Sequence, residues 1–63
     1  MHDDYTYQVR YSPEDGEHVA IVAEFPSLSH LDADAARALD GIVQLVNDVV
    51  ADMKARGEVI PPR

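Results

Sequence analysis

The chain has 63 residues, close to the smallest size at which a hydrophobic core alone stabilises a fold, so we expect one domain, residues 1–63, stabilised further by oligomerisation or a partner. The sequence holds no cysteine, which excludes disulfides, thiolate metal sites and a cysteine nucleophile. Twelve Asp and Glu residues against five Lys and Arg residues give a net charge of −7, which disfavours direct binding to nucleic acid. Such a charge either attracts a basic protein partner or serves only to keep a small domain soluble.

Two strands joined by a hairpin are predicted for the first third of the chain. Residues 5–11 alternate Tyr and Val with polar residues, the period-two pattern of a strand with one buried face. Pro13 and the pair Asp15-Gly16 follow, and these residue types favour a tight turn. Residues 18–24 are apolar on both faces in their middle, which is typical of a central strand.

A short edge strand is predicted at residues 27–31, and the one long helix follows it at residues 35–56. Asp34 is the expected N-cap of the helix, with Asp32 as the competing cap, and Gly57 is expected to end it. Apolar residues recur at spacings of three and four, which predicts that one stripe of the helix faces the core. The stripe comprises Ala36, Leu39, Ile42, Val43, Val46, Val49, Val50 and Met53.

Gly41 lies inside the predicted helix, where glycine costs about 1 kcal/mol relative to alanine. We therefore expect another backbone, of the sheet or of a second subunit, to approach the helix closely at this position. Residues 58–60 are predicted to return as a fourth strand. The fold class is then α+β, with the order β-β-β-α-β and one helix packed on one face of a small, mainly antiparallel sheet.

The sheet face away from the helix is a candidate interface for a second copy, because one helix can cover only one face. It is expected to carry Thr6, Gln8 and Arg10, with Ala20 and Val22 as further candidates. The first residues are acidic where a signal peptide would be basic, and no window is long and apolar enough to span a bilayer. We therefore expect a cytoplasmic protein without membrane contact.

Carboxylates are the only groups that suggest catalysis. Asp48 and Asp52 stand four residues apart on the helix and Glu24 ends a strand, so a small metal-dependent hydrolase is the enzymatic alternative. Solvated surfaces, turns and caps explain the acidic residues more simply. The histidines form no ligand motif, and Ser27 and Ser29 lie outside any glycine elbow. The sequence therefore predicts a protein that is not an enzyme and needs no cofactor or metal.

The complete pattern resembles the N-terminal domain of HicB-type antitoxins. The resemblance is carried in chain order by Ser-Pro-Glu-Asp-Gly-Glu at 12–17, Ala-Glu-Phe-Pro-Ser-Leu-Ser at 23–29, Ala-Leu-Asp-Gly-Ile at 38–42, Val-Val-Ala-Asp-Met at 49–53 and Gly-Glu-Val-Ile-Pro at 57–61. It implies a partial RNase H-like domain without the catalytic carboxylates. It also implies a type II antitoxin that neutralises a small basic HicA-type toxin, a ribonuclease that cleaves mRNA.

Many members of that family carry a further DNA-binding segment. Residues 1–63 contain none, so we expect no autorepression by this polypeptide alone and no direct nucleic acid binding by this chain, while repression through another chain stays open. If the resemblance holds, the acidic residues of the turn and of the helix start are the expected toxin contacts: Glu14, Asp15, Asp32 and Asp34. The alternative is an orphan HicB-like domain that forms homo-oligomers and has no toxin partner.

Overall fold

The computed structural model describes residues 5–62, which form one three-stranded sheet and one helix. The elements are β1 Tyr7–Ser12, β2 Glu17–Val22, β3 Ser29–Asp32 and α1 Ala35–Ala55. Neighbouring strands are antiparallel in the order β1-β2-β3, and the helix contacts all three. The predicted α+β class and the order β-β-β-α are confirmed. The ends of the predicted domain, residues 1–4 and 63, lie outside the described part.

The predicted fourth strand at residues 58–60 is wrong. Within the described part of the chain, the residues after α1 join no ladder, and Val59 is 92% exposed. The segment is instead held by side chains, because Ile60 packs against the core and the Tyr5 hydroxyl donates a 2.9 Å hydrogen bond to the Pro61 carbonyl. Pro61 and Pro62 have no N–H with which to extend a ladder.

The β1–β2 hairpin forms as predicted, with a four-residue loop at 13–16. The register runs from Tyr7 opposite Val22 to Ser12 opposite Glu17. Gly16 adopts φ +66°, a conformation that glycine reaches without a steric penalty, and its N–H donates to the Ser12 carbonyl at 2.9 Å. The Ser12 hydroxyl also donates to Asp15 at 3.1 Å. Two hydrogen bonds, both involving Ser12, therefore stabilise the turn.

The assignment of Ala20 and Val22 to the uncovered sheet face is wrong. Both are buried, with 0% and 1% exposure, and β2 pairs Ala20 with Val9 and Val22 with Tyr7. Directly opposed residues point to the same side of a sheet, so these four side chains share the face under the helix. A strand that is apolar on both sides does not itself indicate which side is covered. The register with β1 decides it.

The buried row of the helix is shifted from the predicted stripe, because Ala38, which lies outside that stripe, is buried. The buried residues recur at intervals of four: Ala38, Ile42, Val46 and Val50. Leu45, which lies off the predicted stripe, packs against this core, whereas Ala36 and Leu39 are exposed. The row at intervals of four faces the sheet, so Leu39 lies beside the sheet and not over it.

Both predicted helix ends are confirmed to within one residue. Asp34 is the N-cap, because its carboxylate accepts from the Ala36 N–H at 3.0 Å. Asp32 supports this cap by accepting from the Asp34 N–H at 2.9 Å. At the other end Gly57 adopts φ +75°, and the Glu58 N–H donates to the Met53 carbonyl at 2.9 Å. This is the hydrogen-bond pattern that ends many helices at a left-handed glycine.

A close neighbour of Gly41 is present, but it is a side chain and not the predicted backbone. A Cβ built on Gly41 would overlap the imidazole ring of His30, with His30 Cγ only 2.7 Å away. His30 lies on β3 and projects from the sheet toward the helix. The space that glycine leaves open in α1 is therefore occupied by the ring.

Candidate protein-binding surfaces

The four acidic residues predicted as toxin contacts are brought to one end of the sheet. β1 leads into the loop at 13–16, and β2 returns from it with His18 opposite Asp32 at the end of β3. The β1–β2 loop and the β3–α1 junction therefore lie at the same end. We call this surface the acidic end, and it consists of Glu14, Asp15, Glu17, Asp32 and Asp34.

Three carboxylates of the acidic end also stabilise local structure. Asp15 accepts from the Ser12 hydroxyl, Asp32 from the Asp34 N–H and Asp34 from the Ala36 N–H. In each of these hydrogen bonds the carboxylate oxygen is the acceptor, and the side-chain oxygen of asparagine could accept in its place. An Asp→Asn substitution therefore removes the charge and retains the hydrogen bond. Most of these side chains are exposed. The acidic end therefore presents negative charge to solvent while it holds the turn and the cap in place.

A groove of about 900 Å³ lies between β1 and α1. Its apolar floor comes from both elements, and its polar side comes entirely from the helix. The floor is formed by Tyr7, Val9, Leu39 and Val43, and the polar side by Asp40, Gln44, Asn47 and Asp48. The apolar part is accessible, since Leu39 is 38% exposed. This shape and lining suit an apolar segment with basic flanks.

β1 presents backbone hydrogen-bonding groups beside this groove, because it is an edge strand of the sheet formed by the described residues. The Ala23 N–H donates to the Thr6 carbonyl at 3.0 Å, which makes Thr6 and Ala23 a hydrogen-bonded pair. Since such pairs alternate, the backbone groups of Gln8 and Arg10 point to β2, and those of Val9 point away from it. An added strand could pair with these outward groups.

The sequence pattern does not predict this groove, because it assigns Leu39 and Val43 to the stripe that faces the core and Asp48 to a solvated face. The sequence signal is that the apolar residues of the helix form more than one row, whereas the three strands bury only the row that begins at Ala38 and leave Leu39 exposed. Which row would be left beside the sheet depends on the lateral position of the helix, and no local pattern specifies that position.

The face of the sheet away from the helix carries an apolar patch that differs from the prediction. Val19 and Ile21 of β2 and Leu31 of β3 lie there, with Leu31 43% exposed. Register places Gln8 and Arg10 beside them, as predicted. We call Val19, Ile21 and Leu31 the open face, and Gln8 and Arg10 make its β1 side polar.

Two of the three carboxylates considered for a metal site, Asp52 and Glu24, have other partners. Asp52 forms a 3.0 Å ion pair with Arg56, and both Glu24 oxygens accept from Thr6, at 2.9 Å from its N–H and 3.0 Å from its hydroxyl. The Thr6 N–H in particular holds the pKa of Glu24 below its ordinary value of 4.5. Among residues 5–62 no group of three His, Asp or Glu side chains is arranged to hold a metal ion.

These features define a small α+β domain with one helix on an antiparallel sheet, an acidic end and an apolar groove. Comparison of the chain with protein-family models, with curated proteins and with solved structures gives no match. In the described part of the chain, no helix combines the length and the apolar character needed to cross a bilayer.

Proposed function

We propose that this chain is a HicB-like antitoxin that binds and neutralises a small basic HicA-type toxin in the cytoplasm. The observation that carries the proposal is the acidic end, where a turn and a helix start bring five carboxylates to one surface of a chain with net charge −7. Complementary charge accelerates the encounter of two proteins and excludes partners of the same charge. The sequence resemblance supplies the identity of the partner. Of the β-β-β-α-β order that the resemblance implies, the described residues form the first four elements and not the last strand.

The proposal is tested by co-expressing the full chain with the product of any small neighbouring reading frame that encodes a basic protein. We expect co-purification of the two chains and recovery of growth that the basic protein alone arrests. A variant with Glu14→Gln, Asp15→Asn, Asp32→Asn and Asp34→Asn removes charge and retains the acceptor oxygens. It should weaken the complex at least tenfold, mostly through the association rate.

A control for that variant, which removes two carboxylate charges and not four, lies at the opposite end of the molecule. Asp52→Asn with Glu58→Gln also removes exposed carboxylates, both of which contact Arg56, and should change affinity less than twofold. If no complex forms and growth does not recover, the antitoxin proposal is wrong. If the two variants weaken the complex equally, the toxin responds to net charge and not to the acidic end.

A second candidate function is a homo-oligomeric interaction domain without a toxin, and the open face of Val19, Ile21 and Leu31 is the observation that favours it. Self-association through this face would cover the apolar side chains that the helix leaves bare. Sedimentation should then reveal a concentration-dependent dimer that Leu31→Glu dissociates. A wild-type chain that stays monomeric at every concentration would remove this candidate.

A further inference from the structure

We infer that the groove between β1 and α1 receives an extended, basic segment of the partner protein, which pairs with β1 as an additional strand. The partner's identity rests on the proposed function, whereas the mode of binding follows from the groove itself. Three independent features lead to it: the outward backbone groups of the edge strand, the apolar floor and the acidic side of the helix.

The first feature is the set of backbone groups on the outer side of β1. The β1–β2 ladder uses the backbone groups of Gln8 and Arg10, so the N–H and C=O of Val9 and Tyr11 point to the outer side of β1. An extended segment can form main-chain hydrogen bonds there without displacing anything in the existing ladder. Its residues opposite Val9 and Tyr11 would point to the same side of the sheet as those side chains.

The second feature is the apolar floor of the groove. Val9 faces the helix, so every second side chain of an added strand enters the space bounded by Val9, Leu39 and Val43. Leu39 is 38% exposed in this position, and an apolar side chain placed against it would remove that surface from water. The segment is therefore expected to alternate, with apolar residues directed into the groove and polar residues directed away from it.

Charge selects the occupant. Asp40 and Asp48 lie on the helical side of the groove, and neither forms an ion pair with another residue in the described range. Lysine or arginine beside the apolar positions would compensate them. A second copy of this chain would bring the same aspartates and another −7 charge to the contact, so the electrostatics favour a basic partner over self-pairing.

The mode of binding is tested with a synthetic probe, an N-acetylated and C-amidated heptapeptide of alternating Lys and Val. Titrated into the isotope-labelled full chain, it should shift the NMR signals of Val9, Leu39 and Val43 and slow amide hydrogen exchange at Val9 and Tyr11. A peptide with Glu in place of Lys is the charge control. A peptide with alternate N-methylated amides is the pairing control, and both should bind at least tenfold more weakly.

Variants of the chain separate the groove from the acidic end. Leu39→Lys alters an exposed position, keeps a good helix former and should reduce affinity for the Lys-Val peptide at least tenfold. Asp40→Asn with Asp48→Asn should reduce it about fivefold at low salt. Glu14→Gln with Asp15→Asn removes two charges at the acidic end and should change it less than twofold. Unchanged circular dichroism would verify that each variant is folded.

Failure of this inference is distinguishable from failure of the antitoxin proposal. Peptide-induced shifts confined to the acidic end, or dimerisation through β1 in place of peptide binding, would overturn the groove as the basic segment's site. A toxin complex that forms normally with Leu39→Lys would do the same and leave the antitoxin function intact. Peptide binding in the groove together with no neutralisation of any basic protein would support the groove and reject the function.

Discussion

Gly41 of the helix lies directly against the imidazole ring of His30 on β3. The imidazole occupies the position of a Cβ on Gly41, so the glycine is required for the ring to lie beneath the helix. Neither residue type is favourable alone, since glycine weakens a helix and a half-buried histidine loses hydration. Their combination gives α1 a fixed position against β3. Sequence reasoning found that something must approach Gly41 but could not identify a side chain from a different element.

Gly41→Ala should reduce the free energy of unfolding by about 1 to 2 kcal/mol, because overlap with His30 outweighs the helix propensity gained. In a His30→Ala background the overlap is absent, and the same substitution should stabilise the protein by up to about 1 kcal/mol. Urea denaturation of the four chains measures both effects. His18→Ala is the control background, and there Gly41→Ala should remain destabilising. The same sign in every background would show that His30 is not the cause.

Glu24 should make the stability depend on pH in the acid range. Its pKa is lowered in the folded chain, chiefly by the Thr6 N–H, so its contribution is fully present above the ordinary value of 4.5 and is lost as pH falls through the folded pKa. Glu24→Gln should therefore lower Tm at neutral pH, and its difference from wild type should shrink in acid. Thermal unfolding monitored by circular dichroism at a series of pH values tests this.

Thr6→Val is the control for that pH dependence. It removes the hydroxyl donor but retains the backbone donor, which is the larger cause of the lowered pKa, so most of the dependence should persist. An NMR titration of the Glu24 carboxyl in the folded chain gives the pKa directly. A value at or above 4.5 would contradict the contact between Glu24 and Thr6.

At the scale of the elements, local signals located the strands and the helix but not their partners. The hairpin was predictable because Asp15-Gly16 fixes a turn, and the helix start because Asp34 caps it. The prediction of a fourth strand was wrong because a strand depends on more than its own residue types. Residues 58–60 include apolar strand formers, but a strand also needs a neighbouring strand to pair with and backbone N–H groups that proline lacks. The groove could not be predicted for a similar reason: it is formed jointly by β1 and α1, and no local pattern specifies how these two elements pack.

The helix start allows charge and capping to be separated. Asp34→Ala should lower the free energy of unfolding by about 1 kcal/mol, because the Ala36 N–H loses its acceptor. Asp34→Asn keeps an acceptor oxygen in that position and should lower the free energy of unfolding by only about a few tenths of a kcal/mol. Denaturant titration measures the difference. Equal losses in the two variants would indicate that the charge on Asp34, and not its hydrogen bond, stabilises the helix.

The whole molecule has a small core for its surface. Seven hydrophobic residues of the described range are buried, and the largest of the fully covered side chains are Ile42, Val22 and Val46. A chain of this size is expected to have a free energy of unfolding of about 3 to 9 kcal/mol. A single core cavity would therefore remove a large share of the stability, and a bound partner would restore part of it by mass action.

Ile42→Ala tests this view of the core. The residue is fully buried, and its truncation should cost about 2 to 5 kcal/mol, enough to unfold a measurable fraction of the chain at 37 °C. Leu39→Ala, at a 38% exposed position on the same helix, should cost less than about 1 kcal/mol. Chemical denaturation compares the two. Similar losses would mean that the groove side of α1 is packed as tightly as the core.

The hydrogen bond from Tyr5 to Pro61 joins residues that are 56 positions apart, at the end of the sheet remote from the β1–β2 loop. The two ends of the described chain are thus neighbours in space. A circular permutant that joins them through a short glycine linker and opens the chain within the loop at 13–16 would preserve all three strands and the helix. In the chain that is not permuted, fluorophores attached at these two ends would be close while the chain is folded and would separate when it unfolds, so their energy transfer would report unfolding directly.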